Sequence, residues 1–157
     1  DPGDMAQNLS GDGTGLTGEY YLGRDFEKLL FTRSDPNIDF DWPEATPDRQ
    51  QMPVNSAYTI RWAGFVQPRY SEVYTFSTLS DDGCRRWING QSIVDDWNHH
   101  KATEHSGQIA LIAGRKYSIR LEYFENGDPP GEIRLSWTSA SQPMEIVPQT
   151  RFFPTDD

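Results

Sequence analysis

The sequence predicts an all-β domain, an antiparallel β-sandwich of jelly-roll-like type, and three observations predict it. Apolar and polar residues alternate with period two in one run after another, the pattern of strands with one face buried and one in water. Five Trp, seven Tyr and eight Phe suit pleated, half-buried surfaces, and 13 Gly and 11 Pro punctuate the runs as turn residues. No stretch long enough for a helix repeats its apolar residues at three- and four-residue intervals. Short strands with turn signals between them point to a sandwich. At 157 residues the chain fits one domain whose core needs no covalent staples.

Residues 1–14 are polar, aperiodic and rich in Gly and Asp, and read as a linker. Their acids lack the spacing and terminal Glu of an EF-hand loop. Order is expected from Gly15, with Gly15 to Leu22 as the first strand. Phe26 to Thr32 is apolar but short, either a strand or a single turn. Asn37 to Trp42 alternates, with Ile38, Phe40 and Trp42 facing inward and Asp39 and Asp41 on a solvated face. Pro43 to Pro53 holds three prolines among polar residues and reads as a long surface loop. Ala57 to Val66 is a strong strand with Tyr58, Ile60 and Trp62 on one side. After a turn over Gln67 to Ser71, Val73 to Leu79 sets Tyr74, Phe76 and Thr78 against Val73, Thr75 and Ser77.

Cys84 to Ile88 and Gln91 to Val94 flank Asn89-Gly90, the dipeptide that best suits a two-residue type I′ hairpin because both positions need positive φ. Asp95 to Lys101 is a polar loop with one large aromatic, Trp97, which either stacks on a sugar or anchors the loop in the core, the second being favoured. His105 to Ile112 and Lys116 to Phe124 follow as strands, the latter with Tyr117, Ile119, Leu121 and Tyr123 on one face. Glu125 to Gly131 is a loop stiffened by Pro129 and Pro130, Glu132 to Trp137 is another strand, and Pro143 to Phe153 closes an edge. The domain is expected over residues 15–154, with 155–157 as a tail.

Acids outnumber bases 24 to 14, a formal charge of −10 that would be repelled by nucleic acid and anionic membranes and suits divalent cations. The single cysteine, Cys84, excludes an internal disulfide and a cysteine-based zinc site, and reads as a small buried apolar side chain. No stretch approaches the ~20 apolar residues of a membrane helix, so no membrane insertion is expected. The chain reads as a monomeric module of a larger protein.

Two loops carry the functional signal. Ser80-Asp81-Asp82-Gly83 ends a strand in paired acids. Taken alone this is an ordinary solvated Asp-Gly turn. Adjacent side chains of an extended strand point to opposite faces, so Asp81 and Asp82 grip one ion only if the backbone between them is kinked, and Gly83 permits an unusual turn beside them. The second loop raises the signal. Asn126 offers a side-chain carbonyl, and in extended chain the main-chain carbonyls of Asp128 and Pro130 face the same way. Two carboxylates, an amide oxygen and two carbonyls are hard oxygen ligands of the kind Ca²⁺ takes, with positions left for outside oxygens such as vicinal sugar hydroxyls. A catalytic use of Asp81, Asp82 and Glu125 as a glycosidase acid pair is disfavoured, because a cation would hold the acids ionised, and no Gly-x-Ser-x-Gly or phosphate loop is present. The chain is therefore not expected to be an enzyme. His99, His100 and His105 lack clear third and fourth zinc ligands and read as surface residues, of interest as sugar-facing donors.

These motifs together resemble the anthrax protective-antigen-type β-sandwich family, found in yeast flocculins, fungal epithelial adhesins, bacterial adhesins and many bacterial glycosidases. The resemblance spans residues 15–154. It is carried by Gly15-Leu16-Thr17-Gly18-Glu19-Tyr20-Tyr21, Ile38-Asp39-Phe40-Asp41-Trp42, Tyr74-Thr75-Phe76, Ser80-Asp81-Asp82-Gly83, Trp87-Ile88-Asn89-Gly90, Leu121 to Gly127, and Leu135-Ser136-Trp137. It implies that Asp81 and Asp82, joined by a cis peptide, hold calcium with Asn126 and the carbonyls of Asp128 and Pro130. It implies a calcium-dependent lectin module of a bacterial surface adhesin, extracellular, binding cell-surface or environmental glycans of fucose, mannose, glucose or galactose type. Selectivity is expected from Asn98, His99 and His100 on one side of the ion and Gly127 and Asp128 on the other. An accessory module of a secreted glycosidase and a structural spacer are the alternatives, since fold alone does not settle function.

Overall fold

The computed structural model describes residues 12–44, 46–53 and 55–155; residues 1–11 of the expected linker and 156–157 of the expected tail lie outside the described residues. The chain forms β1 (Leu16–Leu22), β2 (Lys28–Asp35), β3 (Asp39–Trp42), β4 (Tyr58–Val66), β5 (Glu72–Asp81), β6 (Cys84–Ile88), β7 (Gln91–Asp96), β8 (Thr103–Leu111), β9 (Tyr117–Glu125), β10 (Gly131–Thr138), β11 (Glu145–Ile146), a 3₁₀ turn over Gln149–Arg151, and β12 (Phe152–Phe153). Among the described residues, no helix is long and apolar enough to cross a membrane.

The strands build two antiparallel sheets. One runs β2-β1-β4-β9-β6-β7, with β12 added to β4; the other runs β11-β10-β5-β8, with β3 added to β10. The expected antiparallel sandwich is what forms. The segment expected to be a strand or a turn over Phe26 to Thr32 is a strand, shifted to Lys28–Asp35. The shift has a physical reason. Asp35 is buried and accepts bonds from Tyr20 Oη at 2.5 Å, Trp62 Nε1 at 2.7 Å and Arg33 Nε at 2.7 Å, which anchor the strand's far end. The hairpin over Asn89-Gly90 has φ of 52° and 76°, as a type I′ turn requires, and pairs Ile88 directly with Gln91.

Inward faces meet in a core rich in rings. Trp62, Trp137, Tyr20, Tyr74, Phe76 and Phe152 are fully buried, and Phe40 stacks on Trp62 at 5.9 Å between centroids. The loop after β3 is not wholly superficial, because Met52 is buried and its carbonyl accepts the Thr46 hydroxyl at 3.2 Å. Cys84 is buried against the Thr78 hydroxyl at 3.3 Å. The segment expected to close an edge does so through β11, which shares one side of β10 with β3, while β12 pairs with Phe65 and Val66 of β4. Gly13 and Thr14 donate backbone N–H bonds to the carbonyls of Thr150 and Phe152 at 2.8 Å.

Candidate metal centre

The ends of β5 and β9 bring the two loops together. β5 carries its ladder through Asp81, opposite Glu132 of β10, while β9 ends at Glu125, opposite Tyr58 of β4. The two sheets thereby deliver an acid each to one pole of the sandwich. Asp82 N–H donates to the Phe124 carbonyl at 3.3 Å and Phe124 N–H to the Gly83 carbonyl at 3.1 Å, so the loop after β5 is laced to β9. The Asp81–Asp82 peptide is cis, as is Pro129–Pro130. Gly83 is needed for a reason other than the turn conformation expected of it. Its φ is not in the left-handed region, but a Cβ there would lie 2.4 Å from the Asp96 carbonyl oxygen and 2.7 Å from the Asn98 nitrogen, so the glycine allows β7's exit to press against the acidic loop.

Asp82 is fully buried and links both neighbouring loops. Its Oδ1 accepts the His100 N–H at 3.0 Å and meets His99 Nδ1, and its Oδ2 accepts the Asn126 N–H at 2.8 Å. Its own carbonyl accepts the Ser80 hydroxyl at 2.7 Å. Asp81 is half-buried, and its carbonyl accepts Tyr123 Oη at 2.5 Å. One carboxylate oxygen each from Asp81, Asp82 and Glu125 fall within 4.8 Å of one another. Burial, then repulsion from Asp82, raises the Asp81 pKa, with His100 and His99 pulling the other way. Burial and the charges of Asp82 and Asp81 push Glu125 up to about 9. Such clustered carboxylates are unfavourable together and are the hard donors that Ca²⁺ takes, so the residues present fit that ion.

Of the residues expected at the site, Asp81, Asp82 and Asn126 are brought together, and Gly127 is buried beside them with its N–H on Glu125 Oε1 at 3.1 Å. Asp128 and Pro130 stand exposed at the loop's tip. On the other side His99 and His100 reach Asp82, while the exposed Asn98 turns its amide back to Asp96 Oδ1 at 3.0 Å. Trp97 is half-buried, with Phe26, Phe124 and the Arg85 guanidinium around its ring at 6.0, 4.8 and 3.9 Å, which fits the anchoring role.

Sequence reading weighed Glu125 only within a disfavoured catalytic acid pair and left Asp96 out of the site. Glu125 was visible as an acid continuing the inward series Tyr117, Ile119, Leu121, Tyr123, and the structure buries it completely. Asp96 carried no such signal. It accepts His100 Nε2 at 2.5 Å and lies 3.4 Å from His105 Nδ1, which sets the orientation of the histidine loop. Burial alone would raise the Asp96 pKa, but the hydrogen bonds from Asn98 and His100 outweigh it and hold it low; burial likewise works against His100⁺, and the Lys101 carbonyl with Asp96 raises that pKa nonetheless.

A groove of about 500 Å³, lined by Phe65, Trp87 and Arg120, lies toward the opposite end of β4 and β9 and, among the described residues, holds no cluster of acidic donors. A smaller hollow of about 250 Å³, lined by Pro43, Glu44, Arg49 and Asn55, borders the Asn126 loop at Pro129.

A two-layer antiparallel sandwich with an acidic centre at one pole defines the class, and comparison with known proteins places the chain within it. The model of the PA14 domain family matches residues 12–151, and the chain belongs to that family. It is similar to the anti-sigma-I factor RsgI3 of Acetivibrio thermocellus, 48% identical over 147 residues that make up 94% of this chain and 22% of that protein. It is also similar to the protective antigen of Bacillus anthracis, 28% identical over 137 residues, 85% of this chain and 17% of that protein. Among solved structures, an anti-sigma factor domain-containing protein is 47% identical with a TM-score of 0.87, covering 94% of this chain and 50% of that one. A PA14 sugar-binding domain from an RTX adhesin shares the fold at 18% identity, with a TM-score of 0.71 over 90% of this chain and 99% of that one. The chain thus spans about a fifth of the length of these two relatives and half of the first of these solved chains.

Proposed function

We propose that this domain is a calcium-dependent carbohydrate-binding module that grips vicinal sugar hydroxyls through the ion. Asp81, Asp82 and the Asn126 side-chain carbonyl hold the cation, assisted by the main-chain carbonyls of Asp128 and Pro130. The observation that carries the reading is Asp82, a buried acid that ties the histidine loop and the Asn126 loop to one point, with acid oxygens gathered within 4.8 Å. Membership of the PA14 family and a fold shared with a sugar-binding domain support it. Asn98, His99 and His100 on one side and Gly127 and Asp128 on the other select among fucose, mannose, glucose and galactose, and the hollow beside Pro129 gives a second residue of a longer glycan a place to rest.

The site acts outside the cell or at its surface, where calcium and glycans meet. The 48% identity to an anti-sigma-I factor favours a sugar-sensing part of such a regulator over the head of an adhesin as the parent context. The sequence flanking the domain in its own gene separates the two. Few atoms of the sugar touch the site, so single-sugar affinity should be weak, about 0.1 to 10 mM. Titration of the labelled domain with the four monosaccharides at tens of millimolar should move the His99, His100 and Gly127 amide resonances in calcium and leave them still in chelator. Identical spectra in both media at every sugar concentration would sink the lectin reading.

A further inference from the structure

The Glu125 side chain is fully buried, and while its Oε1 accepts the Gly127 N–H at 3.1 Å, its Oε2 is buried with no hydrogen-bond partner. A buried carboxylate oxygen without a donor is costly and calls for a ligand. A carboxylate oxygen of Glu125 lies within 4.8 Å of oxygens of both Asp81 and Asp82, a spacing at which one cation can touch all three at the 2.3 to 2.6 Å that Ca²⁺ favours. We propose that the Glu125 carboxylate is a third acidic ligand of the bound cation, reaching it from the interior of the sandwich, so that the centre prefers small hard cations of higher charge.

This rests on the ion-centred reading above and adds two consequences to it. Three carboxylates bring a charge of −3 to the ion, so a trivalent lanthanide is favoured over Ca²⁺ more than it would be by two, because the Coulomb attraction scales with the charge of the ion. Glu125 also takes a coordination position that would otherwise go to water, leaving the outward positions for sugar hydroxyls.

Terbium luminescence tests it without any sugar, with decay rates in H₂O and D₂O counting the waters bound to the ion. Glu125→Gln keeps an oxygen for the Gly127 N–H and removes the charge. We expect it to weaken Tb³⁺ binding by about 10- to 100-fold, at least the loss that follows removal of a supporting partner, to weaken Ca²⁺ binding less, and to add bound water. Equal weakening of both ions with an unchanged water count makes Glu125 a loop-positioning residue and overturns the proposal while leaving the ion-centred reading intact. Failure of the unmutated protein to bind either ion overturns both. If Glu125→Gln does not fold, the carboxyl carbon of Glu125 in carbon-labelled unmutated protein serves instead: its resonance should shift as Ca²⁺ is added, and a resonance that stays put while the Asp81 and Asp82 signals move overturns the proposal.

Discussion

Asp82 commits both carboxylate oxygens to main-chain N–H groups from two different loops, whereas Glu125, equally buried, has one oxygen on Gly127 and one on nothing. That contrast makes Glu125 the residue whose protonation the fold should report. Its folded pKa is raised to about 9 from an ordinary 4.5 by burial and by Asp82 and Asp81. Between those values the folded chain holds a proton that the unfolded chain has lost, so in chelator the contribution is full below the lower value and is lost as pH rises toward about 9. Urea titrations in chelator should therefore show stability declining from pH 5 to pH 9, and Glu125→Gln should flatten that decline. A decline of the same slope in the variant would assign it to other groups.

The strands were legible because period two is a local signal, and Tyr117, Ile119, Leu121 and Tyr123 proclaim their common face wherever the partner strand sits. The paired acids and Asn126 were legible as motifs. What was hidden depends on partners distant in sequence. Gly83 looked like a turn residue, yet it is held by its closeness to the carbonyl of Asp96 and the nitrogen of Asn98, and the bond of Asp96 to His100, with its approach to His105, joins residues that sequence reading left as a polar loop and a strand. Likewise, nothing local announces that β3 and β11 share one edge of β10. Gly83→Ala tests the point: the added methyl meets backbone on two sides, so it should destabilise by about 3 kcal/mol, the upper range for overpacking, and weaken calcium binding as well. A stable variant with unchanged calcium affinity in isothermal titration would contradict it.

At the scale of the molecule, the proposed ion would join the two sheets, since Asp81 ends β5 and Asp82 follows it in one sheet, and Asn126 follows β9 in the other. If it binds only the folded chain as proposed, calcium at 100 times its dissociation constant would stabilise by about 2.7 kcal/mol, which for a domain of this size is about 5 to 10 °C of melting temperature. Scanning calorimetry should show that rise, with chelator reversing it and Asp82→Ala abolishing the response. The bonds from Gly13 and Thr14 to Thr150 and Phe152 place the two ends of the fold side by side, near where β12 meets Val66, while the acidic centre lies beyond Tyr58 at the other end of β4, on the order of 25 Å away at ~3.4 Å per residue. Mechanical tension applied through the two ends is therefore borne by a short clasp of neighbouring backbone bonds in shear. The load path bypasses the acidic pole, and a pull that strains the clasp would leave the proposed grip on a glycan there undisturbed until the clasp itself gives way.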